Sequence, residues 1–156
     1  MAEYEVRRVT EDLLPVLKLL GEHMFSESPV YSRLRYNEEK TTKWLEAFVG
    51  FPTVRAAWVL FVDGIAVGGL GAAITEKPYL DGKISIDESF YIALGYRGLG
   101  LSGDLIEAYE EWATRHGAEV MMLSSTADIA TDAADASFES AGFKKIGSIT
   151  VKYPGD

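Results

Sequence analysis

Three closely spaced glycines stand near the middle of the chain, between a strand-like stretch and a helix-like one. The segment that holds them reads Arg97-Gly98-Leu99-Gly100-Leu101-Ser102-Gly103. Glycine lets a backbone approach an anion closely, and a helix start offers unpaired N–H groups at the positive end of its dipole. Arg97 adds a fixed positive charge beside them. The pattern predicts a phosphate-binding loop made mostly of main chain; the alternative is a glycine-rich turn that only tightens packing.

The same glycines also fit Gly-x-Gly-x-x-Gly, the fingerprint of dinucleotide-binding folds. That fingerprint belongs at the first strand–helix junction of a Rossmann unit, ahead of several more parallel strands. Here only 53 of the 156 residues follow Gly103, and strands joined by tight turns precede the loop. A phosphate loop of the Gly-Lys-Ser/Thr type is excluded because the chain has no such tripeptide. If the loop binds a phosphate, that phosphate therefore belongs neither to a dinucleotide in a Rossmann fold nor to a nucleotide in a Gly-Lys-Ser/Thr loop.

Residue types that are missing narrow the chemistry further. The chain has no cysteine, which excludes disulfides, thiolate metal ligands and a cysteine nucleophile. Neither His23 nor His116 belongs to a cluster of His, Asp and Glu with metal-ligand spacing. We therefore expect no metal site and no covalent intermediate on a cysteine. The lack of cysteine also suits a reducing cytoplasm.

The net charge indicates which partners the protein favours. With 15 basic and 24 acidic residues the formal charge is −9, which repels nucleic acid and offers no basic stripe to a membrane. It favours a cationic partner, such as an amine on a small molecule or a protein; the alternative is that the acids only keep the protein soluble. No apolar run is long enough to span a membrane, and the acidic start is unlike a signal peptide. We expect a cytoplasmic protein.

The first half of the chain predicts the strands and helices that lead to the loop. A length of 156 residues suits one domain, residues 1–156. A strand over 4–9 comes first, then a helix with leucines along one face of residues 13–20, then a helix capped by Asn37. Asp63-Gly64 and Asp81-Gly82 separate three strands, at 56–62, from 65 onward, and at about 84–94. These three strands form an antiparallel meander.

The second half predicts two helices and two more strands. Residues 101–113 place their apolar side chains on one helical face, and Gly117 ends that helix. The apolar run 120–123 predicts a strand covered on both faces. A short helix follows over about 131–140, and alternation of Ile149, Val151 and Tyr153 predicts a final strand. The order β-α-α-β-β-β-α-β-α-β predicts an α/β (α+β) fold with a mixed sheet and one right-handed crossover after the meander.

Residues 88–102 resemble the central block of the GNAT family of N-acetyltransferases. That family's loop reads Gln/Arg-x-x-Gly-x-Gly/Ala, and Arg97, Gly100 and Ser102 occupy its three defined positions, with Ser102 a small departure. A second family block, a helix ending in Tyr-x-x-x-Gly-Phe, resembles Phe138-Glu139-Ser140-Ala141-Gly142-Phe143. The order of elements is also similar over nearly the whole chain. The resemblance implies a GNAT-like acyl-CoA N-acyltransferase fold.

The resemblance also implies roles for particular positions. Backbone amides of residues 98–103 would bind the pyrophosphate of acetyl-CoA, which serves as co-substrate. The strand around Ile92 would pair with the pantetheine arm, and its N–H would polarise the thioester carbonyl. Glu88 stands where many members carry a carboxylate that helps to deprotonate the amine; the alternative is an exposed or salt-bridged glutamate of the strand. The coenzyme-binding set that this implies is Ile92, Arg97, Gly98, Leu99, Gly100, Leu101, Ser102, Gly103, Thr131 and Phe138.

Members of this family usually recognise the acceptor through the first two helices and their connection. In that stretch Glu27 offers a charge and Tyr31 an aromatic face for an amine. The alternative is a polar loop whose aromatic residues are buried for packing.

Two positions depart from the family pattern. Phe138 stands where many members carry the tyrosine that protonates the departing thiolate, and Thr131 stands where asparagine is frequent. Phenylalanine cannot donate a proton, so Ser137, Tyr91, Ser125 or water would have to do so. The leading hypothesis is an acetyl-CoA-dependent N-acetyltransferase acting on a primary amine. The alternative is a non-catalytic CoA-binding or interaction module on the same fold.

The end of the chain bears on assembly. Family members commonly end in a two-strand hairpin, whereas about 14 residues follow Gly142 here, enough for one long strand. A shortened sheet leaves an edge that a second subunit can cover. We therefore expect a homodimer.

Overall fold

Five strands form one mixed sheet in the computed structural model, which describes residues 2–156 (Met1 lies outside them). The strands are β1 (Tyr4–Arg8), β2 (Arg55–Val62), β3 (Ile65–Thr75), β4 (Lys83–Ile92) and β5 (Ala118–Met122). They lie in the order β1-β2-β3-β4-β5, and every neighbouring pair is antiparallel except β4 and β5, which are parallel. The predicted mixed sheet and its meander are confirmed.

Four α-helices accompany the sheet. They are α1 (Leu14–Glu27), α2 (Glu38–Gly50), α3 (Gly103–Arg115) and α4 (Thr131–Ser140). Pro15 is tolerated in α1 because it lies in the first turn, where its missing N–H would have had no partner in the helix. Asn37 caps α2, since its Oδ1 accepts a hydrogen bond of 2.9 Å from the amide of Lys40. Short 3-10 turns occur at Glu11–Leu13, Tyr31–Arg33 and Leu94–Tyr96.

Each face of the sheet has its own hydrophobic core. On one face α3 packs against β2 and β3, with Tyr109 and Trp112 beside Trp58. On the other face α1 and α2 pack with Leu17 and Phe48 against the sheet. The predicted apolar face of α3 is confirmed, because its buried residues are Leu105, Ile106, Tyr109, Trp112 and Ala113. The sheet is therefore fixed from both sides.

The parallel strands β4 and β5 separate halfway along β4. Their pairing runs from Lys83 opposite Ala118 to Ile86 opposite Met122. Beyond that point β4 continues to Ile92, paired only with β3. Residues 87–92 thus have a free edge that faces a gap in the sheet, and a ligand with peptide-like groups can bind there.

A β-bulge interrupts β4 at the start of this gap. Asp87 pairs with Ala72 and Ser89 with Gly71, so Glu88 is an extra residue in the ladder. Before the bulge Ser85 faces α3, where its Oγ lies 2.8 Å from the Tyr109 hydroxyl. Side chains alternate along a strand, so Asp87 shares that side. Glu88 instead contacts Trp44 of α2. The bulge therefore separates two adjacent carboxylates.

The predicted final strand is wrong. Residues 143–153 contain no regular secondary structure, and Ile149 is 69% exposed. A strand needs a ladder partner, and this segment lies along none of the five strands. It is tied elsewhere, since the Arg33 guanidinium lies 3.9 Å from the ring centre of Tyr153 and 2.9 Å from the carboxylate of Asp156. The observed order of α-helices and strands thus ends at α4.

The prediction that the apolar run at 120–123 is covered on both faces is also wrong. The strand β5 forms the edge of the sheet, and Val120 is 46% exposed. An apolar run does not show whether its strand is central or at an edge. Within residues 2–156, none of the helices combines the length and the hydropathy needed to cross a bilayer.

Candidate active site

A cavity of about 470 Å³ opens in the gap between β4 and the start of α3. We call it the loop cavity. The end of β4, the loop that follows it and one side of α4 form its walls. Its lining residues are Phe90, Tyr91, Ile92, Tyr96, Arg97, Gly98, Gly100, Leu101, Ser102, Ile129, Ala130, Ala133, Ala134 and Ser137.

The glycine loop faces this cavity with its main chain. Gly98 and Gly100 have φ values of +73° and +72°, in the left-handed region that favours glycine. Within the described residues, no well-formed hydrogen bond takes up the N–H groups of residues 97–102. Free amides in a glycine-rich turn ahead of a helix form an anion-binding concavity. The loop therefore has the chemistry that a pyrophosphate group requires.

The predicted loop residues divide into two groups by position. Arg97, Gly98, Gly100, Leu101 and Ser102 line the cavity, as does Ile92 at the end of β4. Leu99 and Gly103 are not among the lining residues, and the Leu99 side chain is exposed. Their contribution to an anion site would come from the backbone.

The Arg97 side chain turns away from the loop amides. Its Nε donates a 2.7 Å hydrogen bond to the carbonyl of Ile92, and its guanidinium forms an ion pair with Glu27 at the end of α1. The Nη2 atom that contacts Glu27 is buried. The charge that the sequence suggested for the anion is therefore shared with a carboxylate.

Glu27 lies in this network and lines neither cavity described here. Its other oxygen accepts a 2.8 Å hydrogen bond from the Tyr91 hydroxyl. Burial, together with this carboxylate, raises the pKa of Tyr91 to about 12. Glu27 thus connects α1 to β4 and to the loop.

The α4 side of the cavity is formed by small residues. Ala130, Ala133 and Ser137 line the cavity, whereas Thr131 and Phe138 do not. The Thr131 hydroxyl donates to Asp128 at 3.2 Å. Phe138 is 6% exposed and packs edge-on against Phe90, with 5.1 Å between ring centres. A helix rich in alanine leaves room beside β4 for a ligand of considerable size.

A second cavity of about 400 Å³ adjoins the first, sharing Phe90, Ile129 and Ala134 with it. We call it the acidic cavity. It is lined by Met24, Tyr31, Asp87, Glu88, Ser89, Phe90, Ser124, Ser125, Thr126, Ala127, Asp128, Ile129 and Ala134. Three of these residues are acidic, and no Lys, Arg or His is among them. The cavity therefore favours a cationic occupant.

The two predicted polar residues in the acidic cavity have partners within the protein. Both oxygens of Glu88 accept hydrogen bonds from the Arg55 guanidinium, and one also accepts from Trp44 Nε1 at 2.9 Å. The Tyr31 hydroxyl lies 2.8 Å from that of Thr126. Both side chains still reach the cavity wall.

Sequence reasoning missed Asp87. This carboxylate is 8% exposed, and its Oδ1 accepts hydrogen bonds from the Ser124 amide at 2.8 Å and hydroxyl at 3.1 Å. Burial raises the pKa of Asp87 to about 6, although the Ser124 hydrogen bonds oppose this shift. The available signal was an aspartate beside Glu88 within the predicted strand. Its partner lies 37 residues away, across the gap between the two strands.

Three or more His, Asp and Glu side chains do not come together in a metal-binding arrangement anywhere in residues 2–156. The described chain thus presents an anion-binding loop and a carboxylate-lined cavity as neighbours.

Solved structures with a similar fold include several aminoglycoside acetyltransferases. The aminoglycoside acetyltransferase AAC(6')-Iy, in complex with a bisubstrate analogue of CoA and acetylneamine, matches with a TM-score of 0.76, 17% identity and 97% coverage of both chains. An aminoglycoside acetyltransferase from an uncultured soil metagenomic sample, in complex with sisomicin, has a TM-score of 0.71 and 18% identity, covering 96% of this chain and 94% of its own. AAC(6')-Ih from Acinetobacter baumannii has a TM-score of 0.72 and 15% identity over 99% of both.

By sequence alone, no curated protein matches the chain significantly. The sequence pattern of the acetyltransferase (GNAT) family, in contrast, matches residues 20–143. That span runs from α1 to the end of the block after α4, and it includes the glycine loop. The predicted family is confirmed: the chain belongs to the GNAT family of acetyltransferases.

Proposed function

We propose that the protein transfers the acetyl group of acetyl-CoA to a primary amine of a small cationic molecule, by direct attack. The observation that carries this proposal is the adjacency of the two cavities. One contains free loop amides for a pyrophosphate, the other contains carboxylates for an amine, and Phe90 belongs to both.

The loop cavity suits the coenzyme along its length. The amides of residues 98–103 would hold the pyrophosphate, and the free edge of β4 at 87–92 would pair with the amide groups of the pantetheine arm. Arg97 fixes the Ile92 carbonyl, so the end of β4 is held in one orientation. A fixed N–H at Ile92 would then stabilise the oxyanion that forms on the thioester carbonyl.

The acidic cavity suits the acceptor. An alkyl ammonium has a pKa near ~10 and attacks a thioester only after it loses a proton. The carboxylates attract the charged form, and one of them takes the proton. Tyr31 offers an aromatic face to the same amine. Glu27, which the resemblance suggested as a second contact, would act from outside the cavity by holding Arg97.

The departing thiolate needs a proton from another source than Phe138. Ser137 lines the loop cavity, and its hydroxyl donates only to the Ala133 carbonyl of its own helix at 3.0 Å. The Tyr91 hydroxyl donates a hydrogen bond to Glu27, and the Ser125 hydroxyl donates one to Asp135. We therefore favour Ser137, directly or through water.

The lack of cysteine supports direct transfer to the amine and a reducing, cytoplasmic setting. The alternative function is a non-catalytic CoA-binding module on the same fold, and Phe138 is the observation that favours it.

The test is release of free thiol from acetyl-CoA in the presence of aminoglycosides, polyamines and lysine-containing peptides, with mass spectrometry of the amine. CoA binding is measured in parallel by calorimetry. We expect thiol release and an acetylated small amine. CoA binding without thiol release from any amine would favour the non-catalytic alternative.

A further inference from the structure

We propose that Asp87, rather than Glu88, is the catalytic residue that takes the proton from the acceptor ammonium in the acidic cavity. This inference rests on the proposed function, because it requires that the acidic cavity receive the amine.

The geometry leaves one oxygen of Asp87 open. Both hydrogen bonds from Ser124 go to Oδ1, and Oδ2 accepts none from the side chain or backbone of another described residue. Asp87 also lines the acidic cavity. Ser124 holds the carboxylate in one orientation while the second oxygen faces the acceptor.

The other two carboxylates of the acidic cavity are less suited to this step. Glu88 is an ion-pair partner of Arg55, and a hydrogen bond from Trp44 holds it towards α2. Asp128 lies on an exposed loop and accepts a hydrogen bond from Thr131. Only Asp87 combines burial, a fixed orientation and a free oxygen.

Burial favours uptake of a proton by Asp87, whereas the hydrogen bonds from Ser124 oppose it. Tyr109 faces it from α3, Ser124 from the segment after β5, and Tyr31, Glu88 and Asp128 from the cavity wall. None of the residues that line the acidic cavity is Lys, Arg or His. Burial in this surrounding raises the pKa of Asp87 to about 6. A base with a pKa closer to neutral is matched better to an ammonium than an ordinary aspartate.

Asp87 takes one proton from the ammonium, and the neutral amine forms an N–C bond with the thioester carbon. The C–S bond then breaks, the Ser137 hydroxyl protonates the thiolate, and the second proton lost from nitrogen restores that hydroxyl. Asp87 releases its proton to water before the next turnover.

The test is the pH dependence of kcat/KM for one acceptor found in the amine panel, measured for the wild-type protein and three variants. The wild type should lose activity below a pH of about 6, where Asp87 is protonated. Asp87→Asn should lower kcat/KM by about 10²-fold or more and remove that acidic limb. Glu88→Gln is the matched control, because it neutralises the adjacent carboxylate, and it should keep the limb.

Ser124→Ala gives a readout that does not depend on loss of activity. It removes a hydrogen bond that favours the charged carboxylate, so the pKa of Asp87 rises and the acidic limb should move to higher pH. The proposal would be overturned if the acidic limb of the kcat/KM profile persisted in Asp87→Asn or disappeared in Glu88→Gln. Either result would leave the proposed function intact. A wild-type protein that binds CoA and acetylates no amine would overturn both.

Discussion

Arg97 and Glu27 form an ion pair that joins the glycine loop to the end of α1. The same guanidinium donates to the carbonyl of Ile92, the last residue of β4. One side chain therefore connects three parts of the site that are far apart in the chain. The residue that looks like an anion ligand in the sequence acts in this structure as a link between the walls of the loop cavity.

Replacement of Arg97 by alanine should lower both stability and coenzyme affinity. The variant leaves the half-buried Glu27 without its cation and the Ile92 carbonyl without its donor. We expect a loss of about 2 kcal/mol in the free energy of unfolding, measured by urea denaturation. Arg97→Gln, which can still donate to the carbonyl, should lose less. Equal stability of the alanine variant and the wild type would show that the link has no energetic role.

Replacement of Gly100 by alanine should weaken CoA binding. At a φ of +72° an alanine costs roughly 1–2 kcal/mol, and the loop would shift its amides to relieve the strain. We expect at least a tenfold rise in the Kd for CoA, measured by calorimetry. Gly95→Ala is the matched control, because no atom lies within 4 Å of its added Cβ and its φ is not positive. A similar loss in both variants would contradict a specific role of the loop conformation.

The raised pKa of Asp87 should also be visible in stability. The folded protein keeps a proton on Asp87 up to a pH of about 6, whereas the unfolded chain releases it near 3.8. Stability from this group is therefore lost as the pH rises from about 4 to about 7, by up to about 3 kcal/mol. The difference in unfolding free energy between wild type and Asp87→Asn should show this trend in urea titrations. A flat difference would mean that Asp87 titrates normally.

Ser137 and Phe138 should respond differently to substitution. If Ser137 protonates the thiolate, Ser137→Ala should lower kcat by about tenfold with little change in KM for acetyl-CoA. Phe138→Tyr should leave kcat within about twofold, since Phe138 packs against Phe90 and does not line the loop cavity. Steady-state kinetics with one amine separates the two. A large gain from Phe138→Tyr would instead indicate that the protein lacks a proton donor.

The homodimer stays a prediction, and exposed apolar side chains on two segments support it. The edge strand β5 exposes Val120, and the C-terminal segment exposes Ile149 and Val151. These apolar side chains suit a contact between two copies. Light scattering should give twice the mass of the 17.1 kDa chain, and a monomer at micromolar concentration would contradict it.

Much of the fold follows from local pattern. The Asp63-Gly64 turn is one case, because both residues have positive φ, at +49° and +79°, as a two-residue hairpin requires. The amphipathic face of α3 is another. The loop that carries the family motif lies between β4 and α3, as the sequence predicts, and lines the loop cavity.

What the sequence could not show depends on distant partners. The ion pair of Glu27 with Arg97 spans 70 residues, and the Asp87 contact with Ser124 spans 37. Neither pair forms a motif along the chain. The prediction of a final strand was wrong for a related reason. Alternation describes only the pattern of side chains, whereas a strand also needs a free sheet edge to pair with.

The bulge at Glu88 has a consequence for sequence alignment. One inserted residue changes which side chains of β4 share a face, so Asp87 lies with Phe90 instead of with Tyr91. In a relative without the bulge, the residues of β4 on this face would be shifted by one position in the sequence on one side of the bulge site. Homologous chemistry at this site should therefore be sought by strand register, with a gap allowed before residue 89, and not by matching letters column by column.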